Sequence, residues 1–159
     1  MQFKRLVRIF VMILAAAIFI AIFMPFHRMP SVAWDALTHT DQFEVFEIEP
    51  QDASADLTHF TVIGKVTIAD AKTRKMLRDA LRNSASDSDA QMASCFNPHH
   101  GIRVTKDGVA TDFVICFECG RVQVWRDGQR IAYFAISHTP QPLFESVLGT
   151  TRQTTQPSI

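Results

Sequence analysis

All three cysteines of the chain fall between residues 95 and 120, in CFNPHHGIRVTKDGVATDFVICFECG. The same stretch holds the one His-His pair, His99-His100, and three of the six glycines. Cys116-Phe117-Glu118-Cys119-Gly120 has the spacing of a metal knuckle. Two thiolates separated by two residues can bind one ion from a tight turn, and a glycine after the second lets the backbone reach positive φ. Cys95 with His99 or His100 would supply the other two ligands. A tetrahedral site of three cysteines and one histidine suits zinc.

Other thiol chemistries compete for the same residues. A disulfide between Cys95 and either Cys116 or Cys119 would leave one free thiol, and an exported chain meets an oxidising compartment where such a bond persists. Reduced cysteines buried as small apolar residues are a third reading. A thioredoxin-like redox site fits poorly. That chemistry places its CxxC at a helix N-terminus, whereas Arg121-Val122-Gln123-Val124-Trp125 reads as a strand. Cys95 with a nearby histidine has the residue types of a nucleophile and its base, but closeness in sequence is not hydrogen-bond geometry. Glu118 has the chemistry of an acid or base beside a metal; an outward-facing turn residue is the simpler expectation. No Gly-x-Ser-x-Gly, His-Glu-x-x-His or phosphate loop occurs, so no catalytic residue is assigned.

The pair CFNPHHGI and DFVICFECG resembles a group of small bacterial proteins that are exported or membrane-anchored. Their pattern is CF-x-P followed by Arg-His or His-His, then a strand ending CF-x-C. The similarity spans Phe43 to Leu148 and rests on these two motifs. It implies export and treats the cluster as a unit; it implies no activity. With Arg-His as the commoner form, His100 matches the retained histidine and His99 the variable one. The resemblance therefore favours Cys95, His100, Cys116 and Cys119 as the ligand set, with His99 as the alternative ligand.

The elements that must position these residues can be read from periodicity. Phe43 to Glu49 alternates apolar and acidic residues apart from the adjacent Val45 and Phe46, which predicts a half-buried strand with a bulge at that pair. His59 to Ala69 reads as one or two strands with Gly64 as a bulge or bend. Asp70 caps a helix over Ala71 to Asn83, with Thr73, Met76, Leu77, Ala80 and Leu81 on its apolar face. Lys72, Arg74, Lys75, Arg78 and Arg82 cover the rest as a solvated basic face, and Ser84 to Gln91 reads as a polar loop. Gly101 to Thr105 and Val109 to Phe117 form one hairpin, and Arg121 to Trp125 and Arg130 to Ser137 a second. Each turns at an Asp-Gly pair. Val122, Val124, Ile131, Tyr133 and Ala135 would share the core face, leaving the other face wet. Pro140 to Leu148 predicts a short last helix, with Leu143, Phe144, Val147 and Leu148 facing the core and Gly149 as its stop. The expected fold is α+β: an antiparallel sheet with one main helix and a short C-terminal helix, preceded by one transmembrane helix.

That last expectation comes from residues 9–26, IFVMILAAAIFIAIFMPF, which carry no charge. A bilayer-spanning helix needs about 17–25 apolar residues, whereas a signal-peptide core has about 7–15. Lys4, Arg5 and Arg8 lie before the run, which places residues 1–8 in the cytoplasm and the rest outside. The alternative is a cleaved signal, with Ser31-Val32-Ala33 before a mature Trp34. The chain then divides into a basic segment 1–8, an anchor 9–26, a tether 27–42, a domain 43–149 and a frayed tail 150–159.

The 159 residues carry 16 basic and 16 acidic side chains, and the basic excess lies before the apolar run. Nothing in the remainder points to nucleic acid. The expected partners are the bilayer, through residues 9–26, and an unspecified protein. The sequence thus favours a membrane-anchored extracytoplasmic binding or structural module, without catalysis. The alternative is a metal- or thiol-dependent enzyme built on the same cluster.

Overall fold

The computed structural model describes residues 29–51, 53–87 and 93–154, together with the isolated Met12. The expected anchor, residues 9–26, lies outside these apart from Met12. Among the described residues no helix is long and apolar enough to cross a membrane.

Six strands form one antiparallel sheet: β1 (Gln42–Ile48), β2 (Val62–Thr67), β3 (His100–Lys106), β4 (Val109–Cys116), β5 (Arg121–Arg126) and β6 (Gln129–Ala135). Their order is β2-β1-β3-β4-β5-β6. Three helices accompany them among the described residues: α1 (Ser31–Thr38), α2 (Ala71–Ser86) and α3 (Gln141–Thr154). The α+β class is as the sequence predicts. The helix α1 is an addition, because it occupies the stretch expected to be a tether. Ala33 and Leu37 are fully buried, one turn apart, so this segment belongs to the core.

All three helices cover one face of the sheet. Leu37 of α1, Leu77 and Leu81 of α2, and Phe144 and Leu148 of α3 join Phe43, Val45, Ile102, Phe113, Val122 and Val124 in one cluster. Burying each large side chain contributes roughly 1.5–3 kcal/mol. The apolar stripe of α2 is displaced from the expected one. It runs through Leu77, Leu81, Ser84 and Ala85, while Met76 is exposed. The helix therefore continues into the stretch read as a loop. Its buried Ser84 is satisfied by donating to the Leu81 carbonyl at 2.8 Å. Asp70 caps α2 as predicted, accepting from the Thr73 N–H at 2.7 Å. The basic face is partly occupied: Arg82 and Arg78 lie over the Trp34 ring at 4.3 and 5.7 Å.

The opposite face is not simply wet. Phe46, Ile48, Val114 and Cys116 form a second apolar cluster there with Leu57 and Phe60, carried by the segment between β1 and β2, and with Phe96. This second cover explains β1. Val45 and Phe46 point to opposite faces and both are buried, so the adjacent apolar pair needs no bulge. The register shift lies one pair further on, where Glu47 faces Gly64 and Ile48 faces Val62. Gly64 therefore sits beside the irregularity, as its position suggested.

Both Asp-Gly hairpins form, with positive φ at Asp107, Gly108, Asp127 and Gly128. The core parity of β6 is the reverse of the expected one. Val122 pairs with Phe134 and Val124 with Ala132, after which the register shifts. That puts Phe134 and Ala132 on the helix side and leaves Ile131 and Tyr133 exposed, because a one-residue slip moves every side chain to the other face. α3 carries Phe144 and Leu148 inward as predicted but runs through Gly149 to Thr154.

Candidate functional site

β4 ends at Cys116 and β5 begins at Arg121, so the CxxC forms the turn between two central strands. The Gly120 N–H donates to the Phe117 carbonyl at 3.1 Å, and Gly120 adopts φ 64°, the conformation expected of a glycine after the second cysteine. The turn brings the Cα atoms of Cys116 and Cys119 to 5.1 Å, and the two sulfurs form a disulfide. Cys95 is exposed and free. A disulfide is therefore present, but its partners differ from the expected Cys95 pairing. The tight turn holds Cys116 and Cys119 face to face, while Cys95 lies on the surface.

The CFNP segment is nevertheless bound to this turn, as the two motifs implied, and the binding is by main chain. The Asn97 N–H donates to Cys119 Sγ at 3.3 Å. The Asn97 carbonyl oxygen lies 3.2 Å from Cys116 Sγ, a hydrogen bond when that sulfur carries a proton and a contact in the bridge. The Cys119 N–H donates to Cys116 Sγ at 3.1 Å, and the Ala93 N–H to the Cys119 carbonyl at 3.1 Å. Arg121 completes the clasp. Its Nη2 donates to the Ala93 and Cys95 carbonyls at 2.9 and 3.0 Å, and its guanidinium lies 5.2 Å from the centre of the Phe96 ring. Sequence reasoning missed Asn97 and Arg121. The role of Asn97 is carried by its backbone, which has no signature in side-chain type. Arg121, directly after the CxxCG turn, is a signal that a search for carbonyl donors would have found.

Of the four expected zinc ligands, Cys116 and Cys119 are bonded to each other, Cys95 is exposed and His100 is buried at the start of β3. Among the described residues, no three His, Cys, Asp or Glu side chains converge to hold a metal ion.

His100 sits in an aromatic corner. Its ring lies edge-on to Phe117 at 5.4 Å and to Phe144 at 6.2 Å, and those two rings meet at 5.3 Å. Burial lowers the His100 pKa below its ordinary value, with His99 acting in the same direction and Glu145 and Glu47 opposing. The ring is therefore held neutral at pH 7. His99 lies beside it, with its carbonyl accepting the Ile48 N–H at 2.9 Å. Both histidines line a cleft of about 330 Å³, floored by Ile48 and Phe117 and edged by Glu118 and Glu145. Glu118 is exposed on the turn, the outward position expected of it. Glu145, from α3, is a cleft residue that the sequence did not single out.

Together these features define a small α+β domain with a bridged hairpin tip, clasped by an upstream segment, beside a cleft of histidines and carboxylates. No family model matches the chain, and no curated protein or solved structure matches it either.

Proposed function

We propose that the protein is a membrane-anchored module whose folded domain works outside the cytoplasm, as a binding or structural unit without catalysis. Residues 9–26 form the anchor in this reading. The observation that carries it is the Cys116–Cys119 disulfide, a bond that persists in oxidising compartments and is rare in the cytosol. Its sulfurs suit a structural part, because Cys116 and Cys119 are 1% and 3% exposed and offer little surface to a thiol partner.

The surroundings of Pro30 support the anchor. Only three residues separate Phe26, at the end of the apolar run, from Pro30, so an extended link reaches about 14 Å. Val32, Ile131 and Tyr133 are exposed beside Pro30, with Arg130 over the Tyr133 ring. Aromatic, aliphatic and cationic side chains on one patch suit the headgroup region of a bilayer. Cleavage after Ala33 has less support, since it would remove the start of α1 with the fully buried Ala33.

The alternative, an enzyme holding zinc through Cys95, His100, Cys116 and Cys119, has less support, because two of its four ligands are joined to each other. Thiol counting under denaturing quench tests the choice. One labelled thiol before reduction and three after are expected, and the full chain stays in the membrane after carbonate washing. Three labelled thiols from the native protein, with one zinc released on chelation, would replace this reading with the metal site.

A further inference from the structure

The basic face of α2 has no part in the bridged turn or its clasp. Within Ala71–Ser86, five basic side chains stand against one acid, Asp79. Lys75, Arg78 and Arg82 are spaced three and four apart, which puts them on one ridge of the helix. The ridge turns toward α1, where the Arg78 and Arg82 guanidiniums lie over the half-buried Trp34 ring. Its charge is only partly neutralised within the fold. Asp79 pairs with Lys75 but stands 3.7 Å from Arg78 Nε, a buried nitrogen with no hydrogen-bond acceptor. Arg82 is exposed, and among the described residues no carboxylate pairs with it.

An apolar strip lies on the other flank of α1. Ala33 and Leu37 face the core, Trp34 leaves one side of the helix toward α2, and Val32 leaves the other toward β6. There Val32 joins the exposed Ile131 and Tyr133, with Arg130 over the Tyr133 ring. Just past β6, the Ser137 N–H donates at 3.0 Å to the carbonyl of Ser84, two residues beyond Arg82 in α2. The start of α1, the second half of α2 and β6 therefore share one corner of the domain. Pro30 opens that corner, and three residues separate it from Phe26.

We propose that this corner is a docking face for anionic phospholipid headgroups, which lays the domain on the leaflet from which the anchor emerges. Lys75, Arg78, Arg82 and Arg130 would meet the phosphates, and Trp34, Ile131 and Tyr133 the boundary between headgroups and acyl chains. Position is the first argument: the short link keeps the corner within about 14 Å of the apolar run. Charge is the second. Beyond residue 26, and apart from α2, eight basic side chains stand against fifteen acids. An anionic surface thus repels most of the domain and attracts this corner, which fixes the orientation. Asp35, the acid of α1, is paired with His39 a turn further on. An acidic protein would suit the ridge but not the apolar strip beside it. The proposal rests on the anchored-module reading and adds to it the lipid class and the face that meets it.

The two tryptophans of the chain test it, because they lie on opposite sides of the sheet. Trp34 is at the corner, and Trp125 packs against the second apolar cluster. The full chain is placed in nanodiscs whose lipids are brominated near the headgroup, and quenching reads which side meets the bilayer. Trp125→Phe leaves Trp34 as the reporter; Trp34→Phe leaves Trp125 and keeps a ring for the arginines. In phosphatidylglycerol discs, Trp34 is expected to be quenched and Trp125 is not. Trp34 quenching is expected to fall in phosphatidylcholine discs, and in phosphatidylglycerol at about 0.5 M salt. Lys75→Gln with Arg82→Gln, both exposed positions, should shift docking roughly tenfold toward release with unchanged circular dichroism. Equal quenching of both tryptophans, equal quenching in the two lipids, or full quenching in the charge variant would overturn the proposal. Trp34 unquenched in either lipid would do the same and leave the ridge to a protein partner. Carbonate washing reports on the anchor separately, so a chain that resists the wash with Trp34 unquenched refutes the docking face alone.

Discussion

Arg103 and Asp112 face each other across β3 and β4 and meet in a two-pronged salt bridge. Nε reaches Oδ1 at 2.6 Å and Nη2 reaches Oδ2 at 2.7 Å. Asp112 is buried, and its Oδ2 also accepts the Leu57 N–H at 3.1 Å, so one carboxylate ties the segment after β1 to the middle of the sheet. The hydrogen bond to Asp112 raises the Arg103 pKa, against the opposing effect of burial. Asp112→Ala would leave a half-buried guanidinium and a buried N–H without their acceptor. The expected cost is about 3 kcal/mol, read as a lower urea midpoint. A midpoint shift no larger than that of an exposed control such as Asp127→Ala would refute this account.

The disulfide closes a loop of sequence separation 3. Short loops lose little entropy when they are open, so the bridge contributes only about 2 kcal/mol on the chain-entropy model. Cys116→Ser with Cys119→Ser should therefore fold, with a modest drop in melting temperature and retained circular dichroism. Complete unfolding of that variant would mean that the bridge holds the clasp in a way loop entropy does not capture. Cys95→Ser, at an exposed free thiol, should leave stability unchanged.

His100 predicts a specific pH dependence. Its folded pKa lies below the unfolded value near 6.5, so the unfolded chain binds the proton more readily. The corresponding stability is fully present above pH 6.5 and is lost as pH falls through the folded pKa. Denaturation midpoints measured from pH 8 down to pH 5 should fall, and His100→Phe should flatten part of that slope. An identical slope in the variant would assign it to other groups.

Gly101 is fixed by Leu57. A Cβ at position 101 would stand 2.5 Å from Leu57 Cδ2 and 3.0 Å from Cδ1. Leu57 is itself buried, and its N–H is held by Asp112, so the side chain has little room to retreat. Gly101→Ala is expected to cost about 1–3 kcal/mol by overpacking. Leu57→Ala in the same chain should recover part of that loss; a simple sum of the two costs would show that the clash is elsewhere.

Much of the sheet was legible because its turns are encoded locally. Asp107-Gly108 and Asp127-Gly128 need positive φ at both positions, and few other pairs accept that. The cap at Asp70 and the apolar spacing of Phe144 and Leu148 were equally local. What escaped depends on the second face. Phe46 makes sense only once Leu57, Phe60 and Phe96 lie over the sheet, and no spacing rule announces that cover. The reversed parity of β6 depended on a register shift set by pairing with β5. In the candidate site, the union of the CFNP and CFEC motifs was legible from residue types. The choice of sulfur partners was not, because it depends on how a turn aims two side chains. The carboxylates of Glu47 and Glu145 reach the cleft from distant elements, so sequence proximity could not assemble them.

The order of the sheet carries a kinetic consequence. β3 to β6 pair with their chain neighbours, whereas β1 pairs with β3 across the whole of β2 and α2. Closing that long loop is the slow step in a chain otherwise built of local contacts. The C-terminal meander, with its bridged turn, is therefore the half that can form first, and the N-terminal half adds to it as an edge. Pulse-labelled hydrogen exchange during refolding should protect the β4 and β5 amides before those of β1. Simultaneous protection would mean that the two halves assemble as one. An anchor at the N-terminus would then hold to the bilayer the part of the domain that folds last.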